Sequence, residues 1–187
     1  MICDNVSVND KGHLVFAGFD TVELAEKYGT PLYLMDENKI RERVRIYKNA
    51  MEKYFPEGSM VEFASKACSM KQIYRIMAEE GIDIDVVSGG EIYTAKTAGF
   101  PMEQAYFHGN NKTDEEIAFA IDSKVGYFVV DNFDELEALN KIAKEKGVLQ
   151  KILLRVSPGI DPHTHKKIST VSVESMFGVA IKTGQAM

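Results

Sequence analysis

Hydrophobic and polar positions along this chain fall into two alternating kinds of segment. Short apolar runs rich in β-branched and aromatic residues begin at Met60 (MVEFASK), Ile82 (IDIDVV), Gln104 (QAYFH), Gly126 (GYFVVD) and Lys151 (KILLRV), and each predicts a strand. Between them, residues 69–80, 90–98, 113–123 and 132–146 have helical character. Thr113 followed by Glu116 has the spacing of a capping box. Asn132 can cap FDELEALNKIAKEKG, whose Phe133, Leu136, Ile142 and Ala143 form a broad apolar stripe and whose lysine-rich end stops at Gly147. Strands that are apolar on both sides predict a sheet with helices on one face and a packed interior on the other.

Strand starts 22 to 25 residues apart leave room for one helical crossover, which is what parallel neighbours require. An open doubly wound sheet and a (β/α)8 barrel both fit this periodicity. No GxGxxG follows the first strand, which favours the barrel. Closure takes eight strands and about 250 residues. The expectation is therefore an α/β fold: a partial (β/α)8 TIM-type barrel of about five βα units over residues 36–187, incomplete as it stands. Ahead of it, residues 1–35 form a separate segment in which HLVFAGFD reads as a strand, TVELAEKYG as a short helix and PLYLMD as a strand that runs on to Asp36. Asp36 opens a long helix with Ile40, Val44, Tyr47, Met51 and Tyr54 on one stripe, ended by Pro56-Glu57-Gly58.

The 187 residues, 45% hydrophobic and 27% charged, have the balance of a globular chain rather than a disordered or fibrous one. Acidic residues outnumber basic ones, 28 to 22, for a net charge of −6, which argues against nucleic acid as a partner. No leader pattern opens the chain and no run of about 18 apolar residues occurs, so neither export nor a membrane is expected. Cys3 and Cys68 lie far apart without the spacing of a metal site or disulfide framework, which suits a reducing cytoplasm.

Both architectures place their sites where parallel strands end. The first strand ends in Ser65-Lys66-Ala67; a partly desolvated lysine there loses charge readily, and its neutral amine attacks aldehydes, although position alone equally fits a surface lysine. The second runs into Asp85-Val86-Val87-Ser88-Gly89-Gly90-Glu91, where the glycines suit either close approach to a ligand or a tight turn. The third ends in His108-Gly109-Asn110-Asn111-Lys112, a cluster of hydrogen-bonding groups that can also be read as loop-shaping. The fifth carries Arg155 and a long loop in which His163 and His165, two apart, could face one side and hold a metal. No further histidine has ligand spacing, so the expectation is no metal.

Taken in order, FASKA around Lys66, DVVSGGE from Asp85, HGNNK from His108, LLRVSPG around Arg155 and HTHKKIST from His163 resemble the diaminopimelate decarboxylase family. That family belongs to the alanine-racemase-like, fold-type III class of pyridoxal-phosphate enzymes, with ornithine and arginine decarboxylases. The resemblance runs from GTPLYLMDE near Gly29 to MFG near Phe177. It implies pyridoxal 5′-phosphate as cofactor, carried covalently by Lys66, with Asp85, Glu91, His108 and Arg155 around it. It also implies an amino-acid substrate, decarboxylation of meso-2,6-diaminopimelate to L-lysine in lysine biosynthesis, and a homodimer for the complete enzyme. Asn110 completes the family's HGN motif. Two positions depart from the usual pattern: Val171 stands where STG has its glycine, and Met176 where SKFG has its lysine. Cys68 also stands where another residue is common.

Family members continue with a histidine that stacks on the cofactor, a glycine-rich phosphate loop, an EPGR-like segment and a C-terminal β domain that the N-terminal strand joins. None of these occurs before Met187. The chain is thus expected to be the N-terminal part of such an enzyme and inactive alone. Two alternatives stay open: a sibling decarboxylase of another basic amino acid or carboxylated polyamine, and a non-catalytic binding or regulatory homologue.

Overall fold

The computed structural model describes residues 3–160, 177–181 and 184. The chain divides into two compact units, Met1–Ile46 and Tyr47–Met187.

In the first unit, β1 (Val6–Val8), β2 (Leu14–Phe16) and β3 (Phe19–Asp20) form an antiparallel sheet in that order. The run HLVFAGFD is therefore two strands rather than the expected one. Ala17 and Gly18 between them have φ of 50° and 86°, the paired positive values that a two-residue hairpin needs, and Phe16 pairs with Phe19. Asp20 caps α1 (Thr21–Tyr28) by accepting from the Val22 and Glu23 amides. Burial raises the Asp20 pKa, but hydrogen bonds from His13, the Val22 amide and Asn9 outweigh it and hold the carboxyl down to about 2. PLYLMD, expected as a strand, has no regular structure: Tyr33 is almost wholly exposed, and no strand among the described residues pairs with the segment. Asp36 accepts from the Lys39 amide and opens α2 (Glu37–Tyr54), which runs across the boundary between the units. Its stripe is only partly used, since Val44 is buried but Tyr47 and Tyr54 are exposed.

In the second unit, β4 (Glu62–Ala64), β5 (Asp83–Val86), β6 (Ala105–Phe107), β7 (Tyr127–Val130) and β8 (Lys151–Leu154) form one parallel sheet. They alternate with α3 (Lys71–Glu80), α4 (Gly89–Ala98), α5 (Asp114–Asp122) and α6 (Phe133–Glu145). Spatial order follows chain order without a reversal. A doubly wound sheet reverses at a switch point, whereas a barrel adds each strand beside the last. The barrel expectation is met with five strands and four helices of a (β/α)8 barrel, β4 and β8 being the sheet edges among the described residues.

Alternate strand positions Ile84, Val86, Ala105, Phe107, Phe128 and Val130 are fully buried, on the face that α3 to α6 cover with Ile76, Ile92, Ile117 and Leu139. The opposite face corrects the expectation of strands apolar on both sides. It carries Glu62, Asp83, Asp85, Tyr106, Tyr127 and Lys151, with the Tyr106 and Tyr127 rings stacked at 4.6 Å. Barrel interiors are ordinarily filled with branched aliphatic side chains. At the β8 edge, Ile152, Leu153 and Leu154 remain exposed. On α6 the expected stripe holds at Leu136, Ile142 and Ala143, which are half-buried or buried, but Phe133 is exposed, and Glu135 is buried with Leu139. The reason is that Glu135 turns inward to meet a buried lysine, described below.

After β8, Arg155 leads into β9 (Val156–Ser157), which pairs in parallel with β10 (Val179–Ala180). His163, His165, Val171 and Met176 lie outside the described residues.

Candidate functional site

The C-terminal ends of β4, β5 and β6 bring four of the five expected site residues together. β4 stops at Ala64, and Ser65–Ala67 form a single 3-10 turn that presents Lys66. This turn is fixed from beneath. Ser65 is fully buried, and its hydroxyl lies 2.8 Å from the Asp85 carbonyl and 3.1 Å from Glu91 Oε2, one proton serving both acceptors. Tyr74, also fully buried, meets Ser69 Oγ at 2.8 Å on the other side of the turn. Lys66 itself is exposed.

Asp85 ends the same sheet edge one strand along. Its Oδ1 is buried without a hydrogen-bond partner among the described residues. Burial raises the Asp85 pKa; the charges of His108 and Lys66 oppose this, and Glu62 and Glu91 add to it. His108 follows β6, donates its amide to Val86 O at 2.8 Å, and places Nε2 3.9 Å from Glu62 Oε2. Lower on the same face, burial likewise raises the Asp83 pKa, and burial pushes the Tyr106 phenol up to about 12.

Glu91 sits in the first turn of α4, where Ser88 caps the helix by accepting from the Glu91 amide. Its Oε2 accepts from the Val87 amide at 2.6 Å and from Ser65. The geometry therefore makes Glu91 the brace between the β5 end and the Lys66 turn. Glu91→Ala leaves both donors without this acceptor, at a cost of about 2 kcal/mol. Its expected result is a midpoint of thermal unfolding lower by about 4–8 °C, with Glu91→Gln, which keeps one acceptor oxygen, recovering most of the loss. An alanine variant that melts with the unsubstituted chain would show that the brace carries no load.

Arg155 belongs to a second group, built by residues that the sequence did not single out. Its guanidinium lies 3.1 Å from Asp131 Oδ1 and 4.4 Å from the centroid of the Phe177 ring. Asp131 is buried at the end of β7, and its Oδ2 accepts from the Gly178 amide at 3.0 Å. Asn132 caps α6, and Glu135 returns to the Asp131 amide at 3.1 Å. The signal for these roles was present in Asp131-Asn132 and the glutamate three residues later, a strand end followed by a helix cap.

Among the described residues no group of three or more histidine, cysteine, aspartate or glutamate side chains could hold a metal. The donor set fits a different group. Lys66 offers an amine to an aldehyde, the unpartnered Asp85 oxygen offers an acceptor to a proton-bearing ring atom, and Arg155 offers charge to an anion. Among the described residues, no helix is long and apolar enough to cross a membrane.

Residues 37–187 match the family described as "Pyridoxal-dependent decarboxylase, pyridoxal binding domain". The diaminopimelate decarboxylase of Bacillus methanolicus is 50% identical over 179 residues, covering 96% of this chain and 41% of that protein. The crystal structure of diaminopimelate decarboxylase from M. jannaschii superposes with a TM-score of 0.84 at 39% identity, over 98% of this chain and 43% of that one. A second structure of that enzyme, in co-complex with L-lysine, gives a TM-score of 0.82. The chain thus spans about two fifths of the length of the relatives it matches. With this match over 37–187, and with a lysine, an unpartnered aspartate oxygen and a histidine at successive strand ends, the chain belongs to the pyridoxal-dependent decarboxylases, as their pyridoxal-binding domain.

Proposed function

We propose that this chain supplies the lysine-bearing part of a pyridoxal-phosphate-dependent decarboxylase that converts meso-2,6-diaminopimelate to L-lysine and carbon dioxide. The observation that carries this reading is the placement of Lys66 beside the unpartnered Asp85 oxygen at adjacent strand ends. Support for the substrate comes from relatives named diaminopimelate decarboxylase and from the L-lysine bound in the M. jannaschii structure. When bound, the pyridoxal ring would take up the electron pair left as carbon dioxide departs.

The chain's own residues have separable tasks. Lys66 Nζ would hold the cofactor through its aldehyde and, as a free amine, would carry a proton at the site. The Asp85 carboxylate would accept a hydrogen bond from the cofactor and, with His108, would orient it. Glu91 holds the Lys66 turn through Ser65. Arg155, aimed by Asp131 and Phe177, binds an anionic group of cofactor or substrate. Residues 1–35 join a β domain of the complete enzyme, which works as a homodimer in the cytoplasm, a setting consistent with the two free cysteines.

The test is substrate choice by the protein that carries this sequence, purified from its native source. Supplied with pyridoxal phosphate, it should release lysine and carbon dioxide in equal amounts from meso-2,6-diaminopimelate, and at least about a hundredfold less product from ornithine or arginine. Comparable turnover of ornithine would replace the reading with a sibling decarboxylase. No turnover, and no cofactor on Lys66, would replace it with a binding role.

A further inference from the structure

We propose that Lys112 is a positioning residue of this site: its one buried ammonium ties the His108 turn to the Asp131–Arg155 pair. The inference rests on reading this sheet edge as the cofactor site. Lys112 ends HGNNK and precedes the Thr113 cap of α5. A lysine in such a turn ordinarily projects into water, yet here its side chain is 1% exposed and that of its partner Glu135 is 4% exposed. Lys112 Nζ donates to Gly109 O at 2.7 Å and to Val129 O at 2.9 Å, and lies 2.8 Å from Glu135 Oε1. It also stands 5.3 Å from the centroid of the Phe107 ring. Two hydrogen bonds thus go to backbone carbonyls, Glu135 Oε1 pairs with the ammonium by charge rather than by a hydrogen bond, and the cation lies over an aromatic ring. Burial lowers the Lys112 pKa, and Glu135 opposes that shift.

Each partner belongs to a different element: the turn after β6, the end of β7 and the first turn of α6. The turn after β6 has little room to move on its other side, because a Cβ on Gly109, whose φ is 109°, would lie 3.3 Å from Val87 O. From Glu135 the connection continues. Its Oε2 accepts the Asp131 amide, and the Asp131 carboxylate holds Arg155 Nη1 and the Gly178 amide. Hydrogen bonds joined by one ion pair, Lys112 to Glu135, therefore connect the turn at His108 and Gly109 through Lys112, Glu135 and Asp131 to Arg155. They join two groups of site residues that stand two strands apart. A pair retained for stability alone would not need to grip the carbonyl next to His108.

Removing one member of a buried ion pair strands the other charge, so the informative variant is Lys112→Met with Glu135→Gln. Glutamine keeps an acceptor oxygen for the Asp131 amide. In the full chain, the pH titration of the His108 ring is followed by NMR with the Arg155 Nε–H resonance, and His13 in the first unit serves as internal control. The double variant should remain folded and titrate normally at His13. Its His108 midpoint should move, its Arg155 resonance should shift or broaden, and pyridoxal phosphate fixed on Lys66 by borohydride should accumulate about tenfold more slowly. A folded double variant with His108 and Arg155 unchanged would overturn the proposal.

If the double variant does not fold, the unsubstituted chain decides. Its Lys112 ammonium protons should be protected from exchange with water, and rapid exchange would overturn the proposal. If the unsubstituted chain takes up no pyridoxal phosphate while His108 and Arg155 respond as expected, the positioning role stands and the cofactor reading fails.

Discussion

In the complete decarboxylase proposed for this chain, Lys66→Ala is expected to abolish covalent retention of pyridoxal phosphate and to lower lysine formation from meso-2,6-diaminopimelate by about a thousandfold or more. The same change should leave the unfolding midpoint of the chain within about 2 °C of its original value. The separation follows from where Lys66 sits. It is exposed on a turn whose rigidity comes from Ser65, Tyr74 and Glu91, so truncating it removes no buried contact. Substitutions away from buried features ordinarily change stability by no more than about 0.5 kcal/mol. Lys66→Arg sharpens the test because it keeps a positive charge near Asp85 while removing the nucleophilic amine. Retained absorbance of bound cofactor in either variant, with borohydride fixing it on another lysine, would remove Lys66 from the centre of the mechanism.

The parallel sheet was legible because its cause is local. Each βα unit needs one strand and one helix long enough to return, and five apolar starts spaced by 22 to 25 residues state that requirement directly. The observed strands begin within two residues of those starts, and Thr113 and Asn132 cap the helices that their spacing indicated. What failed depended on partners distant in sequence. PLYLMD has strand composition, but a strand exists only where another strand pairs with it. On α6 the stripe failed only at its start, where Phe133 is exposed and Glu135 is buried against Lys112, 23 positions earlier.

The site divides along the same line. Lys66, Asp85, His108 and Arg155 were legible as polar residues at strand ends, where a parallel sheet exposes them. Asp131, Ser65 and Lys112 were not, because their roles lie in side-chain bonds between strands: Asp131 to Arg155, Ser65 to Glu91, Lys112 to Val129. The alternation in IDIDVV did carry a message that an apolar reading missed. Isoleucine and aspartate alternate with period two, so a strand there has one apolar and one acidic face. The acidic face is the one from which Asp85 reaches the site.

Gly126→Ala is expected to do the opposite of Lys66→Ala, costing about 3 kcal/mol of stability or more and leaving the chemistry of the surviving folded molecules unchanged. Gly126 enters β7 at the end remote from Lys66 and donates its amide to Met102 O at 3.0 Å. A Cβ there would lie 2.0 Å from Glu103 O and 2.7 Å from the carbonyl carbon. Both obstacles are backbone, so no rotamer change can relieve them. Either β7 or the turn at Met102–Gln104 must move, and Gln150 Nε2, which donates to Val125 O and Gly126 O at 3.1 Å each, would lose its acceptors. For a chain of this size the unfolding midpoint should fall by about 6–12 °C. The reason for glycine is close approach rather than backbone freedom, so serine should be as damaging as alanine. Below the lowered midpoint, fixation of pyridoxal phosphate on Lys66 should proceed at its ordinary rate, because the affected end of the sheet lies one strand length from the site. An alanine variant that melts normally would mean that the strands are spaced more loosely than the structure has them. One that melts normally but no longer takes up the cofactor would contradict the division between a supporting end of the sheet and a reactive one.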